Sequence, residues 1–278
     1  MHITVLVTTR GRSEILSRLF NSLCLQHYKD FSVILGDQTG EGALDDLCAL
    51  YQDRLIIRRF PLAPCSLSEA RNALLPMVDG NIVSFADDDC YFAPEAFSRL
   101  VEYTQAYPDV DVFVGRGFPS SVPCHAALAP AQRLNRYSVF SNCPSWCLFV
   151  KAEVCQRVGH FDVSMGIGAS SPWQSGEETD YLLRILTAGH TVARCPSIHI
   201  FHDAESLITP NLDKIASYGM GRMYLIKKHD MPFWFALINI VYPLLWLVYE
   251  YPLLGRGALR KRMAMFKGRW EGYKKTHI

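Results

Sequence analysis

Residues 81–100 read NIVSFADDDCYFAPEAFSRL. An apolar run, Ile82 to Ala86, ends in three consecutive carboxylates, Asp87, Asp88 and Asp89, and Pro94-Glu95 opens a helical stretch soon after. Three adjacent negative charges repel one another and stabilise no fold. The cluster therefore needs a cation. A solvated turn or helix N-cap is the simplest use, but a helix start needs one capping residue, not three. A calcium loop of the EF-hand type is excluded, because Gly is missing at its sixth position and Glu at its twelfth. A divalent ion bridging the protein to a diphosphate suits the pattern. Mg²⁺ or Mn²⁺ takes one or two carboxylates and leaves positions for phosphate oxygens.

Working outward, the apolar run before the aspartates is one of several. ITVLVT (3–8), FSVILGD (31–37), LIIRRF (55–60), NIVSFAD (81–87) and VDVFVGR (110–116) read as strands. The intervening segments carry helical spacing. In GRSEILSRLFNSLCLQ the apolar residues are Ile15, Leu16, Leu19, Phe20 and Leu23, with Ser13 as the expected N-cap. Further helices are expected in GALDDLCALYQ, SLSEARNALLPM and PEAFSRLVEYTQAY. Strand–helix alternation implies right-handed crossovers and a parallel sheet covered on both faces. Ligands of such sheets bind at the carboxyl ends of the strands. Three polar clusters fall there: Thr8-Thr9-Arg10, Asp37-Gln38-Thr39 and the aspartate triplet.

The second half is less regular. Residues 117–144 read as a Pro/Ser/Ala-rich loop with short helical pieces, and SWCLFVKAEVCQRVGHFD as a strand, a helix and a turn. A Gly/Ser-rich loop leads into the helix EETDYLLRILTAG, which Gly189 stops. Two short strands, TVARC and SIHIFH, are expected next. Composition is that of a globular chain of 278 residues, 49% hydrophobic and 20% charged, with a net charge of +1 that excludes no partner by itself. Nine cysteines without a zinc spacing read as free thiols of a reducing compartment. The N-terminus lacks a signal-peptide layout, so the chain is expected in the cytosol.

Taken in order, these segments resemble the family 2 glycosyltransferases, which have the GT-A fold. NIVSFADDDCYFAPEAFSRL is similar to their Asp-x-Asp segment, ITVLVTTRGR to the first strand and nucleotide-binding turn, and VILGDQTG to the second strand with its base-contacting Asp. SEARNALL resembles the Ala-Arg-Asn helix start, FVKAEVCQRVGHFD the segment before the acceptor loop, GEETDYLLRILTAGH the Gly-Glu-Asp-x-Asp-Leu helix start, and IHIFH the late His strand. The resemblance covers roughly residues 1–205. It implies donor-binding (1–116) and acceptor-binding (117–205) halves of one domain; residues 206–278 are expected, from their own composition, to be a membrane-associating region. It also implies roles. Asp87 and Asp89 would hold Mn²⁺ or Mg²⁺, with His202 as third ligand and His199 the lesser choice; Asp88 would share this task or face the sugar. Thr8, Thr9 and Arg10 would line the nucleotide site, Asp37 would accept from the base, most naturally the imide N–H of a uracil or thymine, and Arg71 would meet phosphate or donor sugar. An inverting transfer needs a carboxylate to take the acceptor's proton. The family has Asp where this chain has Glu178, one methylene longer. Glu178 is therefore preferred and Glu177 is the alternative, with Asp180 supporting the site or contacting the acceptor. Trp173 and Gln174 suit a sugar ring, although Trp173 reads equally well as a core residue.

Residues 231–249, MPFWFALINIVYPLLWLVY, carry no charge, and the last 24 residues hold eight Lys/Arg against one acid. Nineteen uncharged residues barely reach spanning length. Basic flanks on both sides disfavour a single span. An in-plane or re-entrant element kinked at Pro243 is expected. Beyond it, Leu259, Met263, Phe266, Trp270 and Tyr273 recur at helical spacing among basic residues, as in helices that lie on anionic lipid. The membrane surface is thus the expected partner of residues 231–275, on the cytoplasmic face. No nucleic-acid motif accompanies the basic tail. The reading is a transferase that moves a sugar from a nucleotide-sugar, UDP-sugar favoured, to a lipid-linked or membrane-proximal glycan in surface polysaccharide assembly. Its rivals are a sugar nucleotidyltransferase, which would carry a Gly-rich basic phosphate loop near the N-terminus, and a non-catalytic membrane-bound scaffold.

Overall fold

The computed structural model describes residues 1–119, 127–202 and 211–276. Part of the expected 117–144 loop thus lies outside the described residues. The chain divides into two compact units. The first comprises 1–65, 69–161 and 181–204; the second comprises 66–68, 162–180 and 205–278.

The first unit is built on one sheet. Strands β1 (Ile3–Thr9), β2 (Phe31–Asp37), β3 (Ile57–Pro61) and β4 (Ile82–Asp87) run parallel in the order β3-β2-β1-β4. The near-continuous apolar runs of β1, β2 and β4 suit burial on both faces, and β2 is buried at all seven positions, whereas β3, at the end of the strand order, is only partly buried. Helix α1 (Ser13–Cys24) covers the sheet with Leu16, Leu19, Phe20 and Leu23. Helices α2 (Asp45–Tyr51), α3 (Leu67–Leu74) and α4 (Ala96–Ala106) follow the next three strands, each starting later than the sequence pattern suggests. Ser13 is not the cap of α1. Arg12 holds that position without a side-chain cap bond, because a guanidinium has no acceptor to offer the first N–H groups; it pairs with the aspartates instead.

Past β4 the sheet is mixed, not parallel throughout. Strand β8 (Leu148–Lys151) runs antiparallel between β4 and β6 (Val112–Phe118). Short β5 (Cys90–Phe92) pairs antiparallel with β9 (Val192–His202), as does β7 (Gln132–Arg133). Helix α5 (Ala152–Val158) follows β8, and α6 (Glu177–Thr187) precedes β9. The two expected late strands are one. β9 runs through Pro196 because the ladder to β6 shifts register there: Val114 faces Arg194, whereas Arg116 faces His199. The unpaired residues between absorb the proline's missing N–H. The pairing of Cys90 with His202 is the step that matters for the site, since it sets Asp89 beside the imidazole.

The second unit contains α7 (Leu212–Lys228), α8 (Phe233–Leu254) and α9 (Arg256–Lys275). Asn211 caps α7, accepting from the backbone N–H groups of Asp213 and Lys214. Helices α7 and α9 touch backbone to backbone: a Cβ on Gly268 would collide with the Ala216 carbonyl oxygen. The buried side of α9 is therefore its small one, Ala258, Gly268 and Gly272 with Arg269, while Leu259, Met263 and Trp270 are exposed.

Helix α8 is not broken at Pro243. Proline lacks the N–H that would meet the carbonyl four residues back, here Asn239. Arg269 Nη1 donates to that carbonyl instead. A side chain from the neighbouring helix thus completes the ladder at the point where the sequence expects a kink.

Candidate active site

At the carboxyl edge of the sheet, Thr9 is in register with Asp37, and Thr8 with Asp87. The three expected clusters therefore share one edge of the first unit. Alternation along the chain turns Asp87 and Asp89 partly outward and buries Asp88. One oxygen each of Asp87 and Asp89 and a ring nitrogen of His202 all lie within 4.8 Å of one another. Two carboxylates and an imidazole are a donor set for a divalent first-row ion such as Mn²⁺, and the carboxylates alone would suit Mg²⁺. His202 Nε2 is 3.0 Å from Asp89 Oδ1. The ring stacks on Trp146 with centroids 5.3 Å apart. Burial pushes the Asp89 carboxyl up, but His202 and Arg12 outweigh this and hold it at about 2. Asp89 is ionised at any working pH.

Arg12 escapes the sequence reading. It pairs with Asp88 and, at 3.0 Å, with Asp89. Burial lowers the Arg12 guanidinium, yet the two aspartates raise it above its ordinary value. Thr9 Oγ1 donates to Asp88 at 2.6 Å, so Asp88 ties β1 to the aspartate turn and does not face solvent. Arg10, expected at the phosphates, instead reaches the Cys65 carbonyl at 2.5 Å. Arg71 is buried, bonded to Asp87 at 2.9 Å and to Ser145 Oγ at 2.8 Å. It braces the Asp87 carboxylate. The TTRGR segment contains both Arg10 and Arg12, and only the fold distinguishes them.

Asp37 has another occupation than a free acceptor. Its Oδ1 accepts from Thr39 N and Oγ1 at 2.8 and 2.6 Å. Its Oδ2 accepts from Arg59 Nε and Nη2 at 2.7 and 2.6 Å. A carboxylate has about four acceptor positions, so the set is full. Burial raises Asp37, but Thr39 and Arg59 hold it below its ordinary value.

The remaining candidates belong to the second unit. Glu177 is 5% exposed and lies against Gly166, whose Cβ would stand 3.0 Å from the carboxylate. Glu178 is the more open of the pair and pulls on Arg222, whose guanidinium burial lowers to about 10, still charged at neutral pH. Asp180 is fully buried, with Lys228 Nζ at 2.7 Å and His229 Nε2 at 2.8 Å. Lys228 also meets Asp162 at 2.5 Å. Asp180 thus fastens the start of α6 to the end of α7. Trp173 stacks on Tyr224, with centroids 4.9 Å apart. Gln174 is used by its own loop: it accepts from Gly168 N and donates to the carbonyls of Ala169 and Ser171. A short polar loop satisfies its backbone this way, which leaves the amide turned inward.

A mixed central sheet flanked by helices matches the GT-A fold. The model of the family described as "Glycosyl transferase family 2" matches residues 4–145, more than half of the chain. The chain belongs to glycosyl transferase family 2. No curated protein matches it. Among solved structures it is similar to TarS of S. aureus, at 12% identity and a TM-score of 0.62, covering 98% of this chain and 55% of that one. It thus spans about half the length of that TarS chain. TarS 1–349 in complex with UDP-GlcNAc is similar over 99% of this chain and 91% of that one, again at 12% identity and a TM-score of 0.62. The mannosyltransferase PcManGT from Pyrobaculum calidifontis, in complex with GDP-Man and Mn²⁺, is similar at 15% identity and a TM-score of 0.64, covering 99% and 76%. The protein is a glycosyltransferase by family.

Proposed function

We propose that the chain is an inverting, metal-dependent glycosyltransferase that moves a sugar from a nucleotide-sugar, UDP-sugar favoured, to a lipid-linked or membrane-proximal glycan in surface polysaccharide assembly. The observation that carries this is the convergence of Asp87, Asp89 and His202 at the strand ends. Those three residues would hold Mn²⁺ or Mg²⁺, which supplies Lewis-acid neutralisation of the departing diphosphate. Thr8, Thr9 and Arg10 mark the nucleotide side, Thr9 through its bond to Asp88 and Arg10 held on the Cys65 carbonyl. Asp37 acts there by fixing Arg59 and Thr39, and Arg71 by aiming Asp87. The acceptor hydroxyl oxygen attacks the anomeric carbon, the bond from that carbon to the diphosphate oxygen breaks, and Glu178 takes the hydroxyl proton. Asp180 positions the helix start that carries Glu178, and Trp173 forms an aromatic wall for the acceptor.

The test is nucleotide release from a panel of UDP-, dTDP- and GDP-sugars in the presence of membrane extract, with and without EDTA. Metal-dependent release from one donor with glycan product supports the reading. Release of pyrophosphate from a sugar phosphate and UTP points to the nucleotidyltransferase, and no turnover with any donor points to the scaffold.

Membrane association rests on α8. By length and composition Phe233–Pro252 could cross a membrane, and only 22% of its most apolar stretch is buried. Leu245 and Val248 are 58% and 71% exposed. On the proposed cytoplasmic face this helix lies in the interface. Replacing Leu245 and Val248 together by Asp is expected to lower partition onto vesicles of phosphatidylglycerol and phosphatidylcholine by at least about tenfold, since each buried aliphatic side chain contributes roughly 1.5–3 kcal/mol. Unchanged flotation of that variant would remove α8 as the anchor.

A further inference from the structure

A cleft of about 520 Å³ opens in the first unit between β6, β9 and the loop before β8. Its walls include Arg116, Arg194, Trp146, Phe118, Gln132 and Asn142, and no carboxylate lines it among the described residues. Arg116 is exposed, with its guanidinium 4.8 Å from the Phe118 ring centroid. Arg194 donates through Nη2 to the Ser141 carbonyl at 2.6 Å, while its buried Nε has no partner among the described residues. Two guanidiniums, an indole and two amides are the groups that recognise a sugar bearing an oxyanion. Guanidinium pairs carboxylate or phosphate through paired N–H donors, and an aromatic face carries the ring. Pockets of this size hold small ligands.

The cleft is also placed for the reaction. Trp146 lines it and stacks on His202 with its ring. Gly117 lets the indole come this close: a Cβ there would collide with Trp146 Cη2. One indole therefore separates the cleft from the candidate metal ligand. Trp173, expected from the sequence at the acceptor, keeps one ring face on Tyr224, and Gln174 is bonded within its own loop. In this cleft Arg116, Gln132 and Asn142 are exposed.

We propose that this cleft binds an acidic sugar unit of the acceptor, with its phosphate or carboxylate on Arg116 and Arg194 and its ring against Trp146. The proposal rests on the transferase reading for the word acceptor, but not for the binding itself.

The experiment is ligand-observed NMR titration of the full chain, in EDTA and without nucleotide, with glucose 6-phosphate, glucuronic acid, glucose and inorganic phosphate. The two acidic sugars are expected to bind at least about tenfold tighter than glucose, and glucose 6-phosphate tighter than phosphate alone, because a charge-assisted hydrogen bond contributes enough for one decade. Arg116→Gln is expected to lower acidic-sugar binding about tenfold, and Arg194→Gln likewise. Arg116 is exposed, so its variant keeps the fold even where Arg194→Gln disturbs the Ser141 loop. Equal binding of glucose and its acidic relatives, no binding of any probe, or wild-type binding by Arg116→Gln would overturn the proposal. Phosphate binding as tightly as glucose 6-phosphate would reduce the cleft to a bare anion site and overturn it too. UDP with Mn²⁺ is titrated separately: a chain that binds acidic sugars but not UDP keeps this cleft and loses the transferase reading.

Discussion

Glu178→Gln is expected to lower turnover by about 10²–10⁴-fold, the usual contribution of a positioned general base. Glutamine keeps the size and the hydrogen-bonding reach of the side chain but takes no proton. Binding of UDP with Mn²⁺ should be unchanged, because Glu178 is not among the candidate metal ligands Asp87, Asp89 and His202. Glu177 provides the contrast. It is buried against the Gly166 backbone, so Glu177→Gln is expected to act on stability more than on turnover. The measurement is kcat and melting temperature for both variants. A fully active Glu178→Gln beside an inactive, well-folded Glu177→Gln would transfer the role to Glu177.

A second large effect is expected in the tail, where Arg269 Nη1 supplies the donor that Pro243 denies to the Asn239 carbonyl. Burial holds the Arg269 guanidinium down to about 9, and Arg222 and Arg262 push the same way. Its removal therefore relieves repulsion while leaving a carbonyl unmet, and the single substitution mixes two opposed effects. A double-mutant cycle of Arg269→Met with Pro243→Ala separates them. Arg269→Met is expected to cost about 2 kcal/mol more in the chain that keeps Pro243 than in the Pro243→Ala background, the range for a buried acceptor left unsatisfied. With alanine in place of the proline, the helix's own N–H takes the carbonyl. Denaturant unfolding of the four chains gives the coupling. Zero coupling would mean that the carbonyl is satisfied elsewhere.

The strands and helices of the first half are legible in the sequence because buried parallel strands and amphipathic helices write different periods. The aspartate triplet is legible as a site because a helix start needs only one carboxylate, although Asp88 itself serves the fold through Thr9 and Arg12. Long-range pairing is what stays hidden. Arg12 and Arg10 are near neighbours and chemically alike, and only the register of β1 with β4 assigns Arg12 to the aspartates. Asp37 looks available until Arg59 from the neighbouring strand fills its second oxygen. Pro196 reads as a strand break and sits in a register shift instead. Pro243 reads as a kink, and its missing bond is made good by Arg269 from another helix, a compensation no local pattern records. Trp146 carries no signal at all: its place beside His202 depends on Gly117 having no side chain.

The central claim is that Asp87, Asp89 and His202 hold a divalent ion on which nucleotide binding depends. Calorimetric titration of UDP into the full chain, with Mn²⁺ and in EDTA, tests it most directly, alongside Asp89→Asn, which keeps the shape and removes the charge. Binding is expected with Mn²⁺, with at least about a tenfold loss in EDTA, the scale of one charge-assisted contact, and the same loss in Asp89→Asn at the lowest Mn²⁺ concentration that saturates the unaltered chain. UDP binding that is equally tight in EDTA, or unaltered in Asp89→Asn, would contradict it.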